Sequence, residues 1–237
     1  MNVILLAAGS GKRFGGELPK QYLLINDKPV LYYSLKVFEC CPLVKSINVV
    51  ISKNDLSLYE TFLESYAKDF KKLKEPIFGG NERRDSVFNA MSQMAKSFVP
   101  DDNLVAIHDS ARPLLSEDLL IELYNTAYNF GASAPALSLT DTVKEVDENG
   151  FIVNNPVRDK LKAIQTPQVF NFEQYWEAIK LCEKENIPVT DDSETFFRFA
   201  QGKVKLIDGD FRLFKITYKE DIERAEKIIN KEDEWNF

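Results

Sequence analysis

Short apolar runs alternate with stretches in which apolar residues recur at helical spacing. Val3-Ile4-Leu5-Leu6 is the first run and breaks into Ala7-Ala8-Gly9-Ser10-Gly11-Lys12-Arg13. Ser46 to Ser52 reads as a buried strand, and Asp55 to Tyr66 follows with a helical pattern. Pro76-Ile77-Phe78 ends at Gly79-Gly80, before a helical stretch from Arg83 to Phe98. Leu104 to Ile107 is a strand, and Ser116 caps a helix through Phe130, with Glu117 and Asp118 favourable in its first turn. Ser133 to Leu139 reads as a strand, Phe172 to Glu185 as a helix, Lys203 to Ile207 as a late strand and Lys219 to Asn230 as a closing amphipathic helix. Repeated strand–helix units predict an α/β fold with a mainly parallel sheet and helices on both faces. Ligands of such sheets sit beyond the carboxyl ends of the strands. Three polar motifs fall at such ends: the Gly9 loop, Gly79-Gly80 and His108-Asp109.

The pattern changes after the strand at Ser133. Thr142 to Val146 and Phe151 to Val153 flank Asp147-Glu148-Asn149-Gly150, and Asn-Gly between alternating segments signals a hairpin. Such a hairpin either lids its own domain or pairs with a second subunit. The second is favoured, because a lone hairpin is marginal in water. With no linker, repeat or low-complexity segment, the expectation is one domain over residues 1–237 carrying a β-arm at about 139–162.

Composition narrows the classes. A chain of 237 residues with a formal charge of −7 lacks the basic footprint of a general nucleic-acid binder, and a local cationic pocket in it suits a small phosphorylated substrate. No apolar run approaches the roughly 20 residues of a membrane span, and no basic region precedes the first apolar run, so the cytoplasm is the expected compartment. Cys40, Cys41 and Cys182 have no metal-ligand spacing and read as packing residues. His108 is the single histidine, which excludes a site built on several His ligands.

The chemistry-bearing residues lie at the strand ends. Gly9 and Gly11 let backbone N–H groups approach an anion, while Lys12, Arg13 and Lys20 supply cations suited to polyphosphate. The loop is neither a Walker A sequence nor a complete dinucleotide fingerprint, since Arg13 replaces the Ser/Thr of the one and Phe14 the third glycine of the other. Gly79-Gly80 precede a helix N-terminus that favours polar or anionic ligands. There Ser86 and Arg83 are placed to read a base or ribose, and Asp85 serves equally well as a cap. Asp109 suits Mg²⁺, which takes one or two carboxylates plus substrate oxygens; the alternative is a structural ion pair with Arg112. Leu213-Phe214-Lys215-Ile216 reads as an apolar strand, on which Lys215 calls either for an anion or for an edge position that turns its lysine to water.

In this order and spacing, Ala7-Ala8-Gly9-Ser10-Gly11-Lys12-Arg13, Pro19-Lys20-Gln21, Gly79-Gly80 with Arg83 and Ser86, Asp109 to Pro113, Asp141 to Lys144, Arg158, Gln165 to Gln168, Thr190-Asp191-Asp192 and Lys215-Ile216-Thr217 resemble the 2-C-methyl-D-erythritol 4-phosphate cytidylyltransferase family over nearly the whole chain. Ribitol-5-phosphate cytidylyltransferases share much of this set, but Ala7-Ala8-Gly9 and Ala111-Arg112-Pro113 look more like the methylerythritol enzymes. The resemblance implies a Rossmann-like nucleotidyltransferase domain, a homodimer with a β-arm, Mg²⁺ as cofactor, and CTP and a sugar-alcohol phosphate as substrates. It implies catalytic roles for Arg13, Lys20, Arg158 and Lys215, the first two at the α-phosphate and the last two at the acceptor phosphate. It makes Asp109 the metal-binding residue. Nucleotide contacts fall to Ala7, Ala8, Gly9, Ser10, Gly11, Lys12, Gly80, Arg83, Ser86, Asp109 and Ala111. Acceptor contacts fall to Arg112, Thr142, Thr166, Thr190 and Asp191, with Thr142 offered from the other subunit's arm.

The residue types agree with that chemistry. An acceptor phosphate oxygen attacking the α-phosphorus is already ionised, so fixed cations and Mg²⁺ matter more than a strong base. A non-catalytic nucleotide-binding module would need no cation aimed at the reacting phosphorus. One departure stands out: Leu213 occupies a position where the family commonly has Asn, and any hydrogen bond of that amide is lost.

Overall fold

The structure is a computed structural model that describes residues 1–9, 18–96 and 103–235, with side chains described to residue 231. In chain order the elements are β1 (Asn2–Ala7), β2 (Leu24–Ile25), β3 (Lys28–Pro29), α1 (Val30–Cys40), β4 (Ser46–Ile51), α2 (Leu56–Tyr66), β5 (Ile77–Phe78), α3 (Arg83–Ala95), β6 (Leu104–Asp109), α4 (Glu117–Phe130) and β7 (Ala132–Ser138). They continue with β8 (Glu145–Val146), β9 (Ile152–Asn154), β10 (Lys162–Ile164), β11 (Gln168–Asn171), α5 (Phe172–Glu185), α6 (Asp192–Phe199), β12 (Lys205–Asp208) and α7 (Glu220–Trp235).

Among the described residues the main sheet has eight strands, ordered β10-β7-β11-β6-β1-β4-β5, with β12 joined to β7. β1 runs parallel to β4 and β6, and β4 parallel to β5, so the centre is parallel as the alternation predicts. β11 is antiparallel to both β6 and β7, which makes the sheet mixed.

Both faces are buried, and alternation along each strand decides which residue faces which layer. On one face Val3, Leu5, Ile47, Val49 and Ala106 pack with Leu35 and Phe38 of α1, Tyr59 of α2 and Leu120 of α4. On the other, Ile4, Val50, Val105 and Ile107 meet Val87 and Met91 of α3 and Tyr175 and Ile179 of α5. The same alternation at the end of β6 presents His108 to Phe38 of α1 and Asp109 to Arg83 of α3. α4 begins where its cap predicts: Ser116 Oγ accepts from Leu119 N–H, and Gly131 closes the helix at φ 87°, a left-handed turn that glycine adopts without strain.

One local reading is corrected and one alternative is decided. Leu213 to Ile216 forms no strand; it crosses the strand ends as an irregular segment held by Ile216 N–H to Ala111 O at 2.8 Å. Asp85 is a cap, its carboxylate accepting from Glu82 N–H at 3.0 Å. The hairpin β8–β9 is present, and Val146, Phe151, Ile152, Val153 and Val157 around it are all exposed.

Candidate active site

The carboxyl ends of β1 and β6, the start of α3 and the 213–216 segment enclose a cavity of about 450 Å³, within the range of small-molecule sites. Ala7 ends β1 and Ala8 and Gly9 follow it into the cavity wall, while the turn after Pro19 contributes Lys20. Gly80, Arg83 and Ser86 come from the entry to α3, Asp109 and Ala111 from the end of β6, and Lys215 from the late crossing segment.

Hydrogen bonds fix each wall. Gly79 N–H donates to Ile51 O at 2.9 Å, and Gly80 N–H to Ser86 Oγ at 3.1 Å. A Cβ at Gly80 would stand 2.2 Å from Asp85 Cβ, so the chain passes too closely there for any side chain. Gln21, buried beside Lys20, donates to Ala7 O at 2.7 Å and to Asp55 Oδ2 at 3.3 Å, which ties the lysine turn to the end of β1. Lys20 Nζ donates to Ile216 O at 3.0 Å. Ser110 N–H donates to Leu6 O at 3.0 Å, and Ser34 Oγ of α1 donates to Ser110 O at 2.7 Å.

Asp109 is the electrostatic centre. Lys215 Nζ lies 2.8 Å from its Oδ2, Arg83 Nε 3.4 Å from its Oδ1 and Arg112 Nε 3.9 Å from Oδ2. Burial opposes its ionisation, but Arg83, Lys215 and Arg112 outweigh that cost and hold the carboxyl well below the usual carboxylate range. The anion that Lys215 requires is therefore supplied first by Asp109, and the structural pair with Arg112 is the longest of the three. Arg112 instead donates through Nη1 to Leu213 O at 2.8 Å. Leu213 itself is fully buried in the core, so its side chain turns away from the cavity and only its carbonyl, which holds Arg112, serves the site.

Behind Asp109 lies a neutral scaffold. Thr166 Oγ1 accepts from Asp109 N–H at 3.1 Å and sits 3.0 Å from His108 Nδ1, while His108 Nε2 lies 3.1 Å from Arg112 O. Burial pushes the His108 ring down to about 4, so it is neutral near pH 7. The surrounding oxygens assign the proton to Nε2, donating to Arg112 O, and let the Thr166 hydroxyl donate to Nδ1.

Lys20, Gly80, Arg83, Ser86, Asp109, Ala111 and Lys215 thus come together with Ala7, Ala8 and Gly9. Ser10, Gly11, Lys12 and Arg13 lie outside the described residues. Thr166, a candidate acceptor contact, is buried behind the cavity wall. Thr142 and Arg158 are exposed on the arm, where Arg158 Nη1 donates to Thr140 O at 3.0 Å. Thr190 and Asp191 precede α6, with Asp191 as its N-cap, beside a small recess that also touches Arg83. There Thr190 donates to Glu194 Oε2 and Asp191 accepts from Glu194 N–H at 2.9 Å. Asp192, whose Oδ2 takes a 2.6 Å hydrogen bond from Arg83 Nη2, was missed as a site residue, as was Gln21. The signal for both was adjacency: each stands next to a residue singled out for its chemistry. Among the described residues no group of three His, Cys, Asp or Glu side chains could hold a metal by itself.

Residues 1–231 match the family model described as IspD: 2-C-methyl-D-erythritol 4-phosphate cytidylyltransferase. A protein of that name from Caldanaerobacter subterraneus subsp. tengcongensis is 41% identical over 236 residues, covering 98% of this chain and 100% of the relative. One from Clostridium botulinum (strain Eklund 17B / Type B) is 35% identical over 231 residues, with 98% and 100% covered. The crystal structure of 4-diphosphocytidyl-2C-methyl-D-erythritol synthase from Anaerococcus prevotii superposes with a TM-score of 0.81 at 30% identity, covering 97% of this chain and 95% of that one. With the match running through both the strand-end cavity and the hairpin, the chain belongs to the 2-C-methyl-D-erythritol 4-phosphate cytidylyltransferase family.

Proposed function

We propose that this chain is a cytidylyltransferase that joins CTP to 2-C-methyl-D-erythritol 4-phosphate, giving 4-diphosphocytidyl-2-C-methyl-D-erythritol and pyrophosphate, in isoprenoid-precursor biosynthesis. The observation that carries the reading is the convergence of Lys20, Arg83, Lys215 and Asp109 on one cavity, within a chain of this family. Gly80, Arg83 and Ser86 take the cytidine side and the Gly9 loop the triphosphate. Lys20 and Arg13 neutralise charge developing at the α-phosphate, and Lys215 orients the acceptor phosphate for in-line attack. Holding two mutually repelling anions in attack geometry is the main task, and fixed cations in a partly dry cavity do it without reorganising at the moment of reaction.

Asp109 fits Mg²⁺ by chemistry, being an ionised oxygen donor on the cavity wall, with substrate phosphates left to complete the shell. When bound, the ion would withdraw charge from the phosphate oxygens as a Lewis acid. Asp109 contributes the fixed carboxylate; Lys215 and Arg83 balance that charge in the free protein.

The arm is proposed to pair with a second copy of the chain. Val146, Phe151, Ile152, Val153 and Val157 are each more than half exposed, and pairing would bury them and bring Thr142 and Arg158 toward the partner's cavity. No described helix is long and apolar enough to cross a membrane, and all three cysteines are free. Both support placing the reaction in the cytoplasm.

The test is pyrophosphate release with CTP and Mg²⁺, offering methylerythritol phosphate and ribitol 5-phosphate in turn. Turnover is expected with the first. Preference for ribitol 5-phosphate would reassign the acceptor, and no release with either would end the enzymatic reading.

A further inference from the structure

Arg83 is gripped from outside the cavity as well as from within it. Its Nε donates to Asp109 Oδ1 on the cavity wall at 3.4 Å, whereas Nη2 donates to Asp192 Oδ2, outside the lining, at 2.6 Å. The other oxygen of Asp192 accepts from Tyr175 OH at 2.8 Å. Asp192 is 2% exposed, and Tyr175 is fully buried with its ring stacked 4.6 Å from Phe170. With both oxygens engaged by different helices, the carboxylate cannot rotate. It is also the first residue of α6, where the helix dipole favours its negative charge.

The two grips on Arg83 differ in kind. Asp109 shares its carboxylate with Lys215 and Arg112, and it faces the space where a cation or phosphate would compete for those partners. Asp192 is shielded from that competition and makes the shorter, charge-assisted bond. We propose that Asp192, braced by Tyr175, is the positioning residue that holds Arg83 in its nucleotide-binding orientation and keeps it there when the Asp109 carboxylate is drawn to a ligand. This rests on the cavity being a CTP site.

Asp192→Asn keeps the shape and removes the charge. The Tyr175 hydroxyl can turn to accept from the new amide, so Arg83 keeps Asp109 but has only a neutral partner at position 192. The expected result is a rise of about tenfold in the Kd and KM for CTP, the lower end of what supporting partners contribute, with kcat at saturating CTP within about twofold of the parent. Because Asp192 acts through Arg83, the same substitution placed on Arg83→Gln should add nothing further, the non-additivity expected of residues in one network. Calorimetric CTP titration of the four proteins, with thermal unfolding in parallel, reads this out. Unchanged CTP affinity in Asp192→Asn, or full additivity with Arg83→Gln, would overturn the assignment while leaving the CTP site itself standing. A parent protein that binds no CTP would remove both. Should Asp192→Asn not fold, Tyr175→Phe tests the same brace: an increase in Kd of about threefold that vanishes on Arg83→Gln is expected, and an increase that persists there overturns the proposal.

Discussion

Lys215 Nζ and Asp109 Oδ2, 106 residues apart in the chain, meet at 2.8 Å across the cavity. Each explains the other's position. Asp109 is a buried carboxylate that remains ionised because cations surround it, and Lys215 is a half-exposed ammonium held at a defined point by that carboxylate. Removing Lys215 leaves the buried carboxylate with two of its three cations, Arg83 and Arg112.

Lys215→Met should lower kcat by roughly 10²- to 10³-fold, the usual cost of one preorganised electrostatic group. CTP affinity should change far less, because Asp109 keeps Arg83 and Arg112. Single-turnover pyrophosphate release separates the two quantities; a Kd that moves as far as kcat would remove Lys215 from the chemical step.

Lys20→Ala should behave alike, with roughly 3–4 kcal/mol added to the barrier and CTP binding largely kept. Its ammonium already sits on Ile216 O, one residue from Lys215, so the two cations share one support. Unchanged turnover in this variant would exclude Lys20 from its role.

Gly80→Ala should damage the nucleotide side of the cavity. The new Cβ would fall 2.2 Å from Asp85 Cβ, and relief requires the first turn of α3 to shift, carrying Arg83 and Ser86 with it. A cost of about 1–3 kcal/mol in stability, together with a raised KM for CTP, is expected in urea titration and steady-state kinetics. A variant with parental stability and KM would mean that the α3 entry yields freely.

His108 makes stability pH-dependent. Its folded pKa of about 4 lies below the unfolded value near 6.5. The unfolded chain therefore takes up a proton that the native chain refuses. Stability is complete above pH 6.5 and falls as pH drops toward 4, by on the order of 3 kcal/mol. Below that window Asp109 acts in the same direction, since its folded pKa lies under the unfolded value and its contribution is lost as it protonates. An imidazole titration by NMR giving a value near 6.5 in the folded protein would contradict this.

Ile152→Asp with Val153→Asp should block pairing of the arm, leaving the sheet intact, because both side chains lie more than half exposed on a separate hairpin. Sedimentation should show a monomer, with the KM for the acceptor raised as Arg158 and Thr142 are withdrawn. Parental sedimentation would indicate another interface or none.

Most of the strand–helix order, the hairpin and the three strand-end motifs were legible in residue order, because hydrophobic period and turn chemistry are local properties. β11 was not read as a strand: Gln168–Asn171 is short and its pairing with β6 and β7 is set by partners distant in the chain. The 213–216 segment was misread for the converse reason. Its apolar residues suit a strand, yet Leu213 packs in the core and Ile216 bonds to Ala111 without joining the sheet.

Glycines and cations after β1 suit a polyphosphate, though short glycine motifs also occur in ordinary turns. Which of those side chains share a wall was decided by packing. Pleat alternation at the end of β6 sends His108 into the apolar layer under α1 and Asp109 toward α3, and only the crossing of 213–216 over the strand ends brings Lys215 to that carboxylate. A local pattern can name the charges that a site needs; distances between them depend on contacts a hundred residues apart, which no local pattern encodes.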